Sequence, residues 1–245
     1  MYEYDSQFLS YGRSVATRSA QVIVPILQEA LRPTSVLDLG CGRGAWLEVW
    51  KGFGASDVLG VDGDYVDRSD LAVDESEFCA CDLGGTIDLQ RRFDLVESLE
   101  VAEHLPESRA RGFVADLCRH GDTVLFSAAP PGQGGEQHIN EQPYDYWRAF
   151  FEDLGYEAFD FVRPQVASRR DVGPWYRYNT LLYVKREAIE SLPQSVRQTR
   201  LSVDTPIRDV SPFLYRVRKS IVHRLPTWAT QALANLAKRA PREAP

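Results

Sequence analysis

The segment Val36-Leu37-Asp38-Leu39-Gly40-Cys41-Gly42-Arg43-Gly44 decides the fold class of this chain. It joins a short apolar run to a turn in which every second residue is glycine, and a helical pattern follows the turn. Glycine takes backbone conformations that are closed to other residues and lets a ligand approach the main chain closely. Similar turns occur at nicotinamide dinucleotide sites, so the turn indicates a ligand without identifying it.

Apolar and β-branched runs recur along the chain and alternate with segments of helical length. The first five predicted strands are Ser35–Leu39, Asp57–Val61, a short third strand that ends before Cys81, Asp94–Leu99 and Thr123–Ala128. Two further strands, Ala158–Val162 and Thr180–Lys185, follow a helix predicted around Tyr146 and Trp147. This alternation predicts an α/β fold with a parallel sheet that is covered by helices on both faces.

The composition is ordinary for a soluble globular protein, with 44% hydrophobic and 26% charged residues among 245. The N-terminal residues lack a basic segment followed by an apolar run, and no stretch approaches about 18 uninterrupted apolar residues. These features predict a cytoplasmic protein without a membrane span. Neither disulfide nor zinc spacing repeats among the cysteines, so free thiols are expected at Cys41, Cys79, Cys81 and Cys118.

Acidic residues stand at the ends of the first strands. Asp38 precedes the glycine turn, Asp62 closes the second strand, and Asp82 follows the third, while the fourth strand runs into Glu100. In this order and spacing, residues 35–185 resemble the class I S-adenosylmethionine-dependent methyltransferases. The resemblance implies a Rossmann-like sheet, mostly parallel with an antiparallel last strand.

The resemblance also implies how the cofactor S-adenosylmethionine is held. The first strand end and glycine turn would hold its amino acid part, Asp62 its ribose hydroxyls, and Asp82 its adenine amino group. Tyr11 and Arg13, ahead of a helix predicted at Val15–Leu31, are expected to fold over the same site. The expected cofactor contacts are Tyr11, Arg13, Asp38, Gly40, Gly42, Asp62, Gly63, Asp82, Leu83 and Ser98.

A group of acids and histidines follows the fourth strand. Glu100, Glu103 and His104 have the spacing i, i+3 and i+4, so a helix that begins at the strand end would place them on one face. The sequence resembles the E-x-x-E-H element of metal-assisted O-methyltransferases, which implies a magnesium or manganese site completed by His138. The element also occurs in methyltransferases without a metal, where the histidine acts alone.

Either histidine of this group, His104 or His138, is the expected general base. The segment that follows resembles enzymes that methylate saccharides, including the O-methyltransferase of methylmannose polysaccharide synthesis. A metal that orients two adjacent hydroxyls would favour a vicinal diol such as a sugar or a catechol. The candidate acceptor contacts, of which Trp147 has the spacing of a core residue, are Asn140, Tyr144, Trp147, Trp175 and Tyr176.

The sequence divides into three parts, namely an N-terminal cap and helix at 1–34, a methyltransferase domain at 35–190 and a basic extension at 191–245. Two short amphipathic helices, Phe213–Val222 and Trp228–Ala237, are predicted in the extension on either side of Pro226. They are expected to pack on the domain or a second subunit of a homodimer, with contact to a membrane surface or lipid-linked substrate as the alternative.

Three other functions remain open from the sequence. One is a metal-independent transfer to a small hydroxylated or amine metabolite, and another is a cofactor-binding module without catalysis. Methylation of a nucleic acid is disfavoured, because the main domain is acidic and the chain carries a formal net charge of -7.

Overall fold

The computed structural model describes the backbone of residues 6–225 and the side chains of residues 14–225. The strands are β1 (Ser35–Leu39), β2 (Asp57–Asp62), β3 (Phe78–Ala80), β4 (Leu95–Leu99), β5 (Thr123–Ser127), β6 (Tyr156–Phe159) and β7 (Leu181–Lys185). The helices are α1 (Ser6–Leu31), α2 (Ala45–Gly52), α3 (Glu107–His120), α4 (Tyr144–Asp153), α5 (Arg163–Val166), α6 (Pro174–Asn179), α7 (Gln194–Arg197) and α8 (Phe213–Val222).

The strands form one sheet in the order β3-β2-β1-β4-β5-β7-β6. β7 pairs antiparallel with both β5 and β6, and the other pairs of neighbouring strands in this sheet are parallel. The structure therefore confirms the predicted, mostly parallel sheet with an antiparallel last strand. β2 lies on one side of β1 and β4 lies on the other, so the strand order reverses direction at β1. This reversal makes the carboxyl ends of β1 and β4 the expected position of a ligand.

Helices cover both faces of the sheet, as the apolar strands predict. One core lies between the sheet and the helices α1 and α2, where Ile23 and Trp50 are fully buried. The other core lies against α3 and α4 and contains Phe113 and Phe151. Each strand of the centre is thus buried on both sides, which holds the strand ends rigidly at the candidate site.

Some boundaries differ from the predicted ones. β6 begins two residues before the predicted strand and ends at Phe159. Residues 163–179, which lie between the last two predicted strands and whose prolines and glycine indicate a loop, instead fold into α5 and α6. Helix α1 begins at Ser6, so Tyr11 and Arg13 fall within a helix and not ahead of one. The side chains of Tyr11 and Arg13 lie outside the described residues.

The segment after β4 is not the helix that the sequence predicted. Glu100 has a left-handed backbone with φ of 60°, and only a short 3-10 turn, Ala102–His104, follows it. Pro106 disfavours a helical conformation at Leu105, which is extended, and α3 begins only after the proline. The single helical face proposed for Glu100 and the residues after it is therefore wrong.

In the extension, α8 spans the residues predicted for its first helix, whereas the second predicted helix, Trp228–Ala237, lies outside the described residues. All four cysteines are free thiols, as predicted. Among the described residues, no helix combines the length and apolarity that a membrane span requires.

Candidate active site

The glycine turn after β1 lies against the segment after β4. Gly40, Gly42 and Gly44 all have positive φ, at 92°, 53° and 80°. A Cβ atom on Gly40 would lie 2.3 Å from a methyl carbon of Val101, so a larger residue would collide there. The turn that is expected to hold the cofactor thus directly contacts the E-x-x-E-H segment.

Asp62 closes β2 with its carboxylate turned towards this glycine turn. One oxygen accepts a hydrogen bond from the Gly42 amide at 2.6 Å, and the other accepts one from the Gly63 amide at 2.7 Å. The hydroxyl of Tyr65 also donates to the second oxygen, at 2.5 Å. A nearly buried carboxylate with fixed orientation can accept two vicinal hydroxyls once Tyr65 moves aside.

A second buried acid accompanies Asp38, one that sequence reasoning missed. Glu97 is the register partner of Asp38 across β1 and β4, and the two side chains interact electrostatically inside the core. Burial raises the pKa of Glu97 to about 8, although the Trp50 indole donates to its carboxylate at 3.0 Å. Burial, and then the charges of Glu97 and Asp62, raise the pKa of Asp38 well above its usual range. The sequence signal that could have revealed Glu97 is its position as an acid in the middle of an apolar strand.

Stability should fall with rising pH because of this pair. The pKa of Glu97 is raised in the folded state, so its contribution is complete below the ordinary value of 4.5 and is lost as the pH rises through about 8. One such proton contributes a slope of at most about 1.4 kcal/mol per pH unit. Glu97→Gln cannot ionise and should flatten the curve of unfolding free energy between these pH values, measured by urea denaturation.

The exposed Glu48→Gln on α2 serves as the matched control for this measurement. It should retain the pH dependence of the unchanged protein. An unchanged slope in Glu97→Gln would show that Glu97 is ionised throughout this pH range.

The remaining predicted cofactor residues occupy different environments. Asp82 is exposed, with one carboxylate oxygen accepting the Gly84 amide at 2.9 Å, while the Leu83 side chain packs into the core beside α3. Ser98 is fully buried and donates to the carbonyl of Leu39 at 2.7 Å. This bond joins the ends of β1 and β4, and the cofactor contact of Ser98 stays a prediction.

Three of the four predicted metal ligands form one group. Each of Glu103, His104 and His138 offers a ligand atom within 4.8 Å of the others. Glu103 is fully buried, and its oxygens make no well-aligned hydrogen bond among the described residues, although the backbone amides of Glu103 and Ala129 lie close enough to interact with them. Nε2 of His138 lies 4.0 Å from one of these oxygens, and the two imidazole rings are perpendicular with centroids 4.9 Å apart.

Burial shifts the pKa values of Glu103 and His104. It raises the pKa of Glu103 well above its usual range, and the charge of Glu100 adds to the effect. Burial lowers the pKa of His104 to about 4, as does neighbouring His138. A neutral imidazole and a buried carboxyl group without a charged partner among the described residues are a donor set that a divalent cation would satisfy.

Each histidine is oriented by an acceptor behind it. Nδ1 of His138 donates to Glu141 at 2.9 Å, and Nδ1 of His104 donates to the carbonyl of Gln137 at 3.2 Å. These bonds place the hydrogen on Nδ1 and leave the Nε2 lone pair of each ring available. The Glu141 carboxylate also accepts the amides of Gly132 and Gly134, both at 2.7 Å. Sequence reasoning missed Glu141, although its spacing of three from His138 is a usable signal.

Glu100, the fourth predicted ligand, has other partners. Its carboxylate accepts the side-chain amides of Gln133 at 2.6 Å and Asn179 at 3.1 Å. Asn179 also donates to Gln133 at 2.8 Å and accepts the hydroxyl of Tyr144 at 3.0 Å. Glu100 therefore belongs to a polar network beside the Glu103 group, which Gln133 and Asn179 complete from the loop after β5 and from α6.

The candidate acceptor contacts differ in how much of each side chain is exposed. The amide nitrogen of Asn140 is buried without a partner among the described residues, and its backbone bonds the carbonyl of Glu103 at 3.0 Å. Trp147 is 1% exposed and packs on Phe126, which favours the core position over a direct acceptor contact. Tyr176, expected in a loop, lies buried in α6 against Trp46, with ring centroids 5.2 Å apart. Its neighbour Trp175 keeps partial exposure.

The family model described as a methyltransferase domain matches residues 11–153, more than half of the chain. No curated protein sequence matches the chain. Similar solved structures include DesVI from Streptomyces venezuelae, with a TM-score of 0.55 and 16% identity over 75% of this chain and 100% of that one. The sugar N-methyltransferase KedS8 from Streptoalloteichus sp. has a TM-score of 0.55 and 16% identity over 76% of this chain and 94% of that one.

Human N-acetylserotonin methyltransferase in complex with S-adenosylmethionine is a further similar structure. Its TM-score is 0.51, with 13% identity over 73% of this chain and 55% of that one. At these identities the likeness concerns the fold, whereas the matched family model covers the glycine turn and the E-x-x-E-H segment. The chain therefore belongs to the methyltransferase domain family, and it is an S-adenosylmethionine-dependent methyltransferase.

Proposed function

We propose that this methyltransferase transfers the methyl group to a hydroxyl of a sugar or saccharide, and that magnesium or manganese assists the transfer. The observation that carries the proposal is the fully buried carboxyl group of Glu103, which lies with His104 and His138 so that one ligand atom of each is within 4.8 Å of the others. A buried charge is costly unless a cation or hydrogen bonds compensate it. Two imidazoles suit manganese at least as well as magnesium.

Each residue of the group has a distinct part in this proposal. Glu103, His104 and His138 hold the ion, and Glu141 and the Gln137 carbonyl fix the two rings. A bound divalent ion would lower the pKa of an acceptor hydroxyl beside it. In the metal-free alternative, one of these imidazoles accepts the hydroxyl proton at Nε2, and for His138 the carboxylate of Glu141 would stabilise the resulting positive charge.

The polar groups around the site support a polyhydroxylated acceptor. The Asn140 amide is available for a hydrogen bond, and the Glu100 network presents carboxylate and amide groups nearby. Adjacent hydroxyls of a sugar can engage several such groups at once, which fixes one hydroxyl for methyl transfer. Partly exposed Trp175 is the remaining aromatic candidate for stacking on a sugar ring.

Methyl transfer to mono- and oligosaccharides should be lost after chelation and restored by manganese or magnesium. The measurement is formation of S-adenosylhomocysteine across an acceptor panel that includes amino sugars and small amines. Full turnover in the chelated enzyme would exclude metal assistance, and turnover restricted to amines would exclude the sugar hydroxyl. Cofactor binding without turnover on every acceptor would favour a non-catalytic module.

Asp62→Ala should weaken binding of S-adenosylhomocysteine by about 10- to 100-fold, since bonds to a charged group contribute about 1.5–3 kcal/mol. The expected cause is loss of the carboxylate that accepts the ribose hydroxyls. Calorimetric titration measures the affinity, and Asp64→Ala, which removes an exposed acid two residues away, is the control. Unchanged affinity in Asp62→Ala would remove Asp62 from the cofactor site.

A further inference from the structure

Helix α8 lies on the loop after β5 through specific contacts. A Cβ atom on Gly132 would be 2.0 Å from the carbonyl oxygen of Lys219, so the helix backbone rests directly on this glycine. The Lys219 side chain is buried on the same side and pairs with Asp209 at 2.5 Å. Arg218 donates to the carbonyl of Gln133 at 3.0 Å. These contacts fix which face of α8 points away from the domain.

The outward face of α8 is apolar. Phe213 is 69% exposed, Leu214 79% and Ile221 57%, and Val217 lies between them. At 100° per residue these four side chains fall within an arc of about 100°. An ordinary surface helix buries such a stripe and exposes its charged residues, whereas α8 buries a lysine and exposes the stripe. The arrangement indicates that the stripe contacts something beyond the described residues.

The charges beside the stripe indicate the nature of that contact. Arg216 and Arg218 flank it on opposite sides of the helix, and Arg224 follows the helix, all three exposed. The single acid of residues 206–225, Asp209, is already paired with Lys219. The region is thus positive in a chain whose formal net charge is -7. Exposed phenylalanine and leucine bordered by arginine are typical of helices that lie in a membrane interface.

We propose that α8 docks the enzyme on an anionic lipid bilayer, with Phe213, Leu214, Val217 and Ile221 in the headgroup region. Arg216 and Arg224 contact lipid phosphates, which complements their charge, while Arg218 keeps its bond to the Gln133 carbonyl. The contacts on the opposite face of α8 keep the methyltransferase domain attached to the docked helix. The proposal does not depend on the acceptor or on the metal.

Flotation of the full chain with vesicles tests the proposal. We expect binding to vesicles of phosphatidylglycerol and phosphatidylcholine, and at least about tenfold weaker binding to phosphatidylcholine alone, because each basic residue near an anionic surface contributes about 1 kcal/mol. The Phe213→Ser/Leu214→Ser variant should lose most of the binding. Val203→Ser, which changes a residue 57% exposed outside α8, should retain it. Both variants replace exposed side chains, and circular dichroism checks their folding.

Three outcomes would overturn the proposal. The first is no binding of the unchanged protein to anionic vesicles, and the second is equal binding by Phe213→Ser/Leu214→Ser. The third is a dimer of the unchanged protein, seen by light scattering, that does not bind vesicles and that dissociates in the Phe213→Ser/Leu214→Ser variant. The apolar face would then contact a second copy of the chain.

Discussion

His138→Ala is expected to lower the turnover number by about 100-fold or more, the usual contribution of a positioned base or metal ligand. Its affinity for S-adenosylhomocysteine should stay nearly unchanged, because the residues proposed to bind the cofactor lie at the ends of β1 and β2. The physical reason is that His138 is the histidine with a carboxylate behind it, at 2.9 Å, and it faces the buried oxygen of Glu103. Single-turnover rates and calorimetric titration measure the two quantities.

A second readout separates metal binding from a purely catalytic loss. Manganese binding, followed by electron paramagnetic resonance, should disappear in His138→Ala and weaken about 10- to 100-fold in Glu141→Gln, as for other groups that orient a metal ligand. His223→Ala changes an exposed histidine after α8 and should affect neither turnover nor manganese binding. Turnover of His138→Ala at the unchanged rate would leave His104 as the single candidate base.

Hydrophobic periodicity and the acids at the strand ends predict the strands and turns whose conformation depends on neighbouring residues in the sequence. β1 coincides with its predicted bounds, because its apolar residues are buried on both faces and the glycine turn ends it. The antiparallel β7 was expected from family resemblance, since nothing local to Leu181–Lys185 sets the direction of the strand. The positive φ of Gly40 and Gly42 follows from the same turn.

Tertiary contacts determine what the sequence did not predict. Glu100 adopts a left-handed backbone and turns its carboxylate to Gln133 and Asn179, two residues distant in sequence that fold beside it. Glu103 and His104 of the E-x-x-E-H element therefore lie close to His138 although the helix predicted from their spacing does not form. Glu141 is held in place because a glycine loop presents two amides to it, and its spacing from His138 in the sequence does not reveal these amides.

Trp147→Ala is expected to lower the free energy of unfolding by about 3–5 kcal/mol, the range for removing a large aromatic side chain from a core. The ring is 1% exposed and lies between Phe126 and Tyr146, with centroids 5.5 Å and 5.1 Å away. Trp147→Phe should recover much of the loss, because it keeps an aromatic ring and removes an indole N–H that has no partner among the described residues. Urea denaturation of the cofactor-free protein measures both variants.

The partly exposed Trp175 provides the contrast in this experiment. Trp175→Ala should destabilise the fold less than Trp147→Ala, since part of its surface is already in contact with solvent. If Trp175 stacks on the acceptor, its loss should raise KM for the sugar more than it lowers stability. A small change in unfolding free energy for Trp147→Ala, together with a raised KM for the acceptor, would reverse the two assignments and place Trp147 at the acceptor.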